Sequence, residues 1–313
     1  MGCASSSEAF QPIPDSYTSV EEVQKALRQV GLQSSDLIIA VDFTESNLVK
    51  GAQTFEGRSL HFVDKTGRVS NPYQTVISAI TRVFELFDDD DSIPAFGYGG
   101  YPERPLEERY FPFMEDRGRV SNPYQTVISA ITRVFELFDD DDSIPAFGYG
   151  GYPERPLEER YFPFMEDRGC ELDEVLQRYF AIASSIELNA SASFVPVIHE
   201  AIKMVKKSRR YHILIIISNG QIDDPAMTRK AIVEASEYPI SIILVGVGDG
   251  PWTMMREFDD QLPERRFDNF QFVNYNTIPR GNLNNPDGGF AMQALMEIPE
   301  QFTKIRELGL IKL

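Results

Sequence analysis

An α/β fold with a mostly parallel central sheet and helices on both faces is what this sequence predicts. Three observations carry that expectation. The runs Leu37–Val41, Tyr211–Ile217 and Ile240–Val247 are apolar without alternation, as in strands buried on both faces. Stretches with the apolar spacing of amphipathic helices separate them, and strand–helix alternation implies parallel pairing. The hydrophobic share of 42% is enough to build a core of that kind.

The elements follow in chain order. Residues 1–17 read as a flexible tail. Met1-Gly2-Cys3-Ala4-Ser5-Ser6 fits the N-myristoylation pattern, with Gly2 as acceptor once Met1 is removed. One acyl chain holds a membrane only marginally, and Cys3 is placed to carry a second by S-palmitoylation. Residues 18–35 read as a helix and a linker. Ser19 and Glu22 form a capping box, Val20, Val23, Leu27 and Val30 form the stripe, and Gly31 supplies the stop. We expect that helix to pack on the main domain or to space it from a membrane.

The main domain is read over residues 36–313. Its first strand, Leu37–Val41, delivers Asp42-Phe43-Thr44-Glu45-Ser46 to its C-terminal tip, the end at which open α/β sheets bind ligands. Asp42, Thr44 and Ser46 alternate along the turn and can converge on one cation. Their hard oxygens suit Mg²⁺ or Mn²⁺.

Residues 68–118 then recur without one change as residues 119–169. Functional arrays drift between units, so perfect identity points to a recent in-frame duplication or an artefact of sequence assembly, not to a solenoid. Each copy reads as helix, strand, strand. In the first, Asn71 caps, Pro72 opens the helix, and Val76, Ile77, Ile80, Val83, Phe84 and Phe87 make the apolar face. Residues 92–97 read as a buried strand closed by a turn at Gly97-Tyr98-Gly99-Gly100, and Tyr110–Met114 as a second strand. One α/β domain has one slot for such a unit. We therefore expect one copy to dock and the surplus copy to extend the sheet edge, pair with another chain or hang outside.

Beyond the repeat, helices are expected over Leu172–Ile186, Phe194–Lys206 and Ala226–Ser236. A short last strand is expected at Phe270–Val273, and a mostly helical end over Ala291–Ile311 broken at Pro299.

Charge and composition exclude several function classes. A formal net charge of −18 argues against nucleic acid and against electrostatic adhesion to anionic lipid. The runs Asp88–Asp91 and Asp139–Asp142 read as solvated loops. Two cysteines, Cys3 and Cys170, cannot form a disulfide scaffold or a cysteine-based zinc domain, and the three histidines show no ligand spacing. No nucleophile–base constellation stands out, so we expect no catalysis.

Together these residues resemble the von Willebrand factor type A domain in its copine-like branch. The resemblance runs from Asp36 to Pro299 with one repeat copy removed. It rests on Asp36–Thr44, Gly57-Arg58-Ser59-Leu60-His61, Ile242–Trp252 and Phe267–Val273; the last two also resemble plant RING-type ubiquitin ligases that carry this domain. The resemblance implies a Rossmann-like domain that binds partner proteins through a metal-ion-dependent adhesion site of three loops. The first is intact here in Asp42, Thr44 and Ser46. In the second, the family's Thr falls on Ala192, flanked by Ser191 and Ser193; in the third, its Asp falls on Asn219. Asp to Asn removes a charge, and cation affinity follows ligand charge. Asp223, Asp224 or Asp249 would restore it if their loops approach. A RING needs eight Cys or His ligands, and no cysteine follows Cys170, so no zinc is expected. The resulting expectation is a protein-interaction module held by acyl chains on the cytoplasmic face of the plasma membrane or endomembranes, or in the cytoplasm. The alternative is an adaptor in protein ubiquitination.

Overall fold

The computed structural model describes residues 13–14, 17–32, 36–85, 96–98, 110–112, 145–149, 161–165, 172–186, 188, 192–262, 264–278 and 288–311. Gly2, Cys3, Ser191 and both four-aspartate runs lie outside the described residues.

Six strands form the central sheet in the order β5-β4-β1-β6-β7-β8. They are β1 (Asp36–Asp42), β4 (Ala146–Tyr149), β5 (Tyr161–Pro163), β6 (His212–Ser218), β7 (Ile240–Gly246) and β8 (Phe270–Asn274). Every neighbouring pair is parallel except β4 with β5, which is an antiparallel hairpin at one edge. The apolar runs dictate this. Leu37, Ile39, Val41, Ile213, Ile215, Ile217, Ile243 and Val245 point to one face, while Ile38, Ala40, Leu214, Ile216, Ile242 and Leu244 point to the other. All are buried, so helices must cover both sides.

The first face takes α1 (Val20–Gln29), α2 (Pro72–Glu85), α3 (Leu172–Ala183), α7 (Gly288–Leu295) and α8 (Ile298–Glu307). The second takes α4 (Val195–Ser208), α5 (Pro225–Ala235) and α6 (Thr253–Asp260). Ser19 caps α1, its Oγ accepting the Glu22 amide at 3.3 Å. Val23 and Leu27 enter the core, and α1 packs on α7 and α8, so this helix is built into the domain. The break near Pro299 is the start of α8, where the missing N–H costs nothing. Helix α6 was not foreseen; its eight residues show only Met255 and Phe258 as a buried pair.

The duplicated unit is used in halves. Helix α2 comes from the first copy, whereas the edge hairpin β4–β5 comes from the second. The expectation that one whole copy docks is thereby corrected. The first copy's hairpin, β2 (Phe96–Tyr98) with β3 (Tyr110–Pro112), is a separate two-stranded sheet. Its pairing Phe96↔Pro112 repeats Phe147↔Pro163 at the twin positions. The hairpin's register is thus local to its sequence and does not need the large sheet.

The glycines of the hairpin also differ from expectation. Gly148 lies inside β4 rather than in a closing turn. A Cβ there would sit 2.2 Å from Cζ of Phe162, whose ring crosses from β5. Glycine admits that ring, and the strand runs on to Tyr149 opposite Asp42.

The surplus residues fall in the sequence between α2 and β4. Removing residues 86–136 yields the same sequence as removing residues 68–118. That deletion shortens the α2–β4 connection from about 60 residues to about 9. The single-copy chain is expected to keep the six-stranded sheet and to gain roughly 1–2 kcal/mol from cheaper loop closure. Equilibrium denaturation tests this, and a clear loss of stability would contradict the assignment of the docked halves.

Candidate binding face at the strand tip

Asp42 ends β1 between two neighbours, beside Tyr149 of β4 and next to the end of β6. Its carboxylate is fully buried and is met by donors from two loops. The Thr44 amide donates to Oδ1 at 2.9 Å, the Ser218 hydroxyl to Oδ2 at 3.0 Å, and the Asn219 amide to Oδ2 at 3.4 Å. Burial raises the Asp42 pKa, and these donors oppose the rise.

The first loop brings its predicted residues together. Thr44 Oγ1 and Ser46 Oγ lie 3.0 Å apart, and the Asn219 side-chain Nδ2 donates to Ser46 Oγ at 2.9 Å. Asn219 arrives there because Gly220 turns the chain at φ +80°, under the ring of Trp252.

Among the described residues of the second loop, Ser193 and Ala192 are bonded locally. Ser193 Oγ accepts the Val195 amide at 3.3 Å, just ahead of α4. The Ala192 amide donates to the Asp223 carboxylate at 2.9 Å, and the Asp223 amide returns to the Ala192 carbonyl at 3.0 Å. The other candidate acids are also engaged. Asp224 caps α5 through the Met227 amide, and Asp249 accepts from Gln53 and Thr54. Among the described residues, no group of three or more His, Cys, Asp or Glu could hold a metal ion.

Beneath the loop lies a network that sequence reasoning missed. The Asp42 carbonyl accepts from His61 Nε2 at 2.6 Å and from Asn47 Nδ2 at 3.2 Å. A carbonyl only accepts, so the proton of neutral His61 is on Nε2, and Nδ1 lies 2.8 Å from the Tyr179 hydroxyl, which also reaches Asn71 Oδ1 at 3.1 Å. Tyr73 donates to Asn47 Oδ1 at 2.7 Å. The rings stack as Phe43, His61, Tyr73, with centroids 4.6 and 4.1 Å apart. Asn47 and Ser218 had a local signal, since each adjoins a residue already singled out; His61 ends the Gly57–His61 segment, but nothing in the sequence joined it to Tyr179, 118 positions on.

Burial, opposed by the bond to Asp42, holds the His61 pKa at about 3. An unfolded histidine titrates near ~6.5. Between these values the unfolded chain binds a proton that the folded chain refuses. The contribution of His61 to stability is therefore full above about pH 6.5 and falls as the pH drops, by up to ~1.4 kcal/mol per unit. A His61→Gln variant is expected to show a shallower decline between about pH 6 and about pH 4. Denaturation series at several pH values check this; parallel curves for the two proteins would refute it.

Comparison with known proteins identifies the family. A family model described as Copine matches residues 113–313. Copine family protein 2 of Caenorhabditis elegans is 36% identical over 296 residues, covering 95% of this chain and 3% of that protein. E3 ubiquitin-protein ligase RGLG2 of Arabidopsis thaliana is 37% identical over 318 residues, covering 96% of this chain and 56% of that one. The chain thus spans only part of the curated relatives it matches, a small share of the nematode protein and about half of the plant ligase. Among solved structures, a manganese-loaded TRAP protein of Plasmodium vivax aligns with a TM-score of 0.38 at 9% identity, over 78% of this chain and 70% of that one. A von Willebrand factor type A protein of Catenulispora acidiphila aligns at 0.36 and 10%, over 86% and 43%. The sequence matches carry the assignment: the chain belongs to the copine family.

Proposed function

We propose that this chain is a membrane-anchored protein-interaction module that docks a partner at the tip of β1. One observation carries the docking face. Directly beyond Asp42 the chain exposes Leu48 (48%), Val49 (68%) and, after the loop, Phe62 (42%). Leu48, His61, Phe62, Ile186 and Leu188 line a groove there. Large apolar side chains held in water beside a rigid, hydrogen-bonded loop favour association. The buried network under the loop fixes its shape before any partner arrives, which lowers the entropic cost of binding.

The anchor is read from Gly2 and Cys3, and two acyl chains would make the attachment stable. The cytoplasmic face of a membrane is the matching location. A second reading, an adaptor in protein ubiquitination, is favoured by the 36–37% identity to Arabidopsis proteins named ubiquitin ligases. It would use the same face to present a substrate, with transfer chemistry supplied elsewhere. Ubiquitin transfer by the purified chain with activating and conjugating enzymes alone would overturn the adaptor form.

Leu48→Asp with Phe62→Asp is expected to abolish capture of the partners recovered by the wild type, while Met227→Asp on α5 leaves capture intact. Quantitative affinity purification measures it, and equal recovery by all three proteins would remove the proposed face. Separately, Gly2→Ala should move the protein from the membrane to the soluble fraction. If it stays on membranes, the acyl anchor is wrong.

A further inference from the structure

We propose that the strand-tip site holds its shape without a divalent cation, because the Asn219 side chain supplies from within the protein the donor that ties the first loop down. The proposal rests on the docking reading above only for its consequence, that partners are engaged independently of metal.

The orientation of the Asn219 amide decides the matter. Its Oδ1 accepts the Gln221 backbone amide at 2.9 Å. A backbone N–H can only donate, so the oxygen must face Gln221 and the NH₂ must face Ser46. At the atom aimed into the site, the third loop therefore offers a donor. A cation needs an acceptor there. An aspartate at this position would keep the Gln221 bond with one oxygen and turn the other, an anion, toward Ser46.

The donors then run in one direction. Asn219 Nδ2 donates to Ser46 Oγ, and Ser46 Oγ lies 3.0 Å from Thr44 Oγ1. The Thr44 side chain in turn favours the ionised form of Asp42. Asp42 itself accepts from Thr44, Ser218 and Asn219. Each oxygen of the loop is thus answered by the protein.

The residues present fit a dication poorly. Asp42 is the carboxylate that the tip's donors surround, while Asp223, Asp224 and Asp249 accept from backbone amides of other segments. Ala192 brings a methyl group where the second loop would need an oxygen. Rotating Asn219 to present its oxygen would strand the Gln221 amide and remove the Ser46 donor together.

Thermal unfolding of the full chain with excess EDTA, Mg²⁺ or Mn²⁺, together with Mn²⁺ titration followed by electron paramagnetic resonance, tests the proposal. The wild type should melt at one temperature in all three and bind no stoichiometric Mn²⁺. Asn219→Asp with Ala192→Thr should melt lower than the wild type in EDTA. Adding Mn²⁺ should restore it, shifting its folding equilibrium about a hundredfold at a cation level about a hundred times its Kd. Saturable binding of one Mn²⁺ per wild-type chain with a raised melting temperature would overturn the proposal. So would an Asn219→Asp single variant as stable as the wild type in EDTA, since the amide donor would then do nothing. Neither readout involves a partner, so failure of the docking face leaves this result standing and can be told apart from it.

Discussion

A carboxylate buried at the end of the central strand must be surrounded by donors, and most of the architecture around the tip answers that demand. An unpaired charge in so dry a place would cost several kcal/mol. Asp42 avoids this because β6 runs beside β1 in parallel and ends level with it, which carries Ser218 and Asn219 to its side. Its own loop folds back to give the Thr44 amide. The backbone carbonyl of the same residue anchors His61 and Asn47 below, and through them Tyr73 and Tyr179. One residue therefore joins β1, β6, the loop that follows β1, α2 and α3. A loop held from so many sides presents its exposed apolar side chains in a single arrangement, which is what a docking face requires.

The two-sided sheet was legible in the sequence because its signal is local. Leu37–Val41, Tyr211–Ile217 and Ile240–Val247 could not lie on a surface, and each became a central strand. Helix starts were legible for the same reason: Ser19 caps α1, and the break expected at Pro299 is the start of α8. Short elements with sparse patterning were not: α6 buries only two large side chains. Gly148 of β4 misled, since a glycine that makes room for Phe162 has the same letter as one that makes a turn.

At the tip, the first loop was readable and its support was not. Asp42, Thr44 and Ser46 announce themselves by spacing, whereas His61 meets Tyr179 only after the repeat has been threaded between them. The same limit applies to Ser193 and Asn219. Sequence position says where a ligand would stand in a relative. It does not say that Ser193 turns to the Val195 amide or that Asn219 points its nitrogen inward. Those outcomes depend on which backbone groups lie next to each side chain in space.

Two identical copies used in halves divide the selection that acts on them. The core draws Tyr73 and Ile77 from the first copy, but Ala146 and Phe164 from the second. One substitution therefore meets two fates, depending on which twin position receives it. Copies under such uneven constraint will drift apart along a boundary in mid-unit, the first keeping its helix and the second its hairpin. The pattern of that divergence, in descendants of this chain, would be a written record of which half of each copy was folded into the sheet.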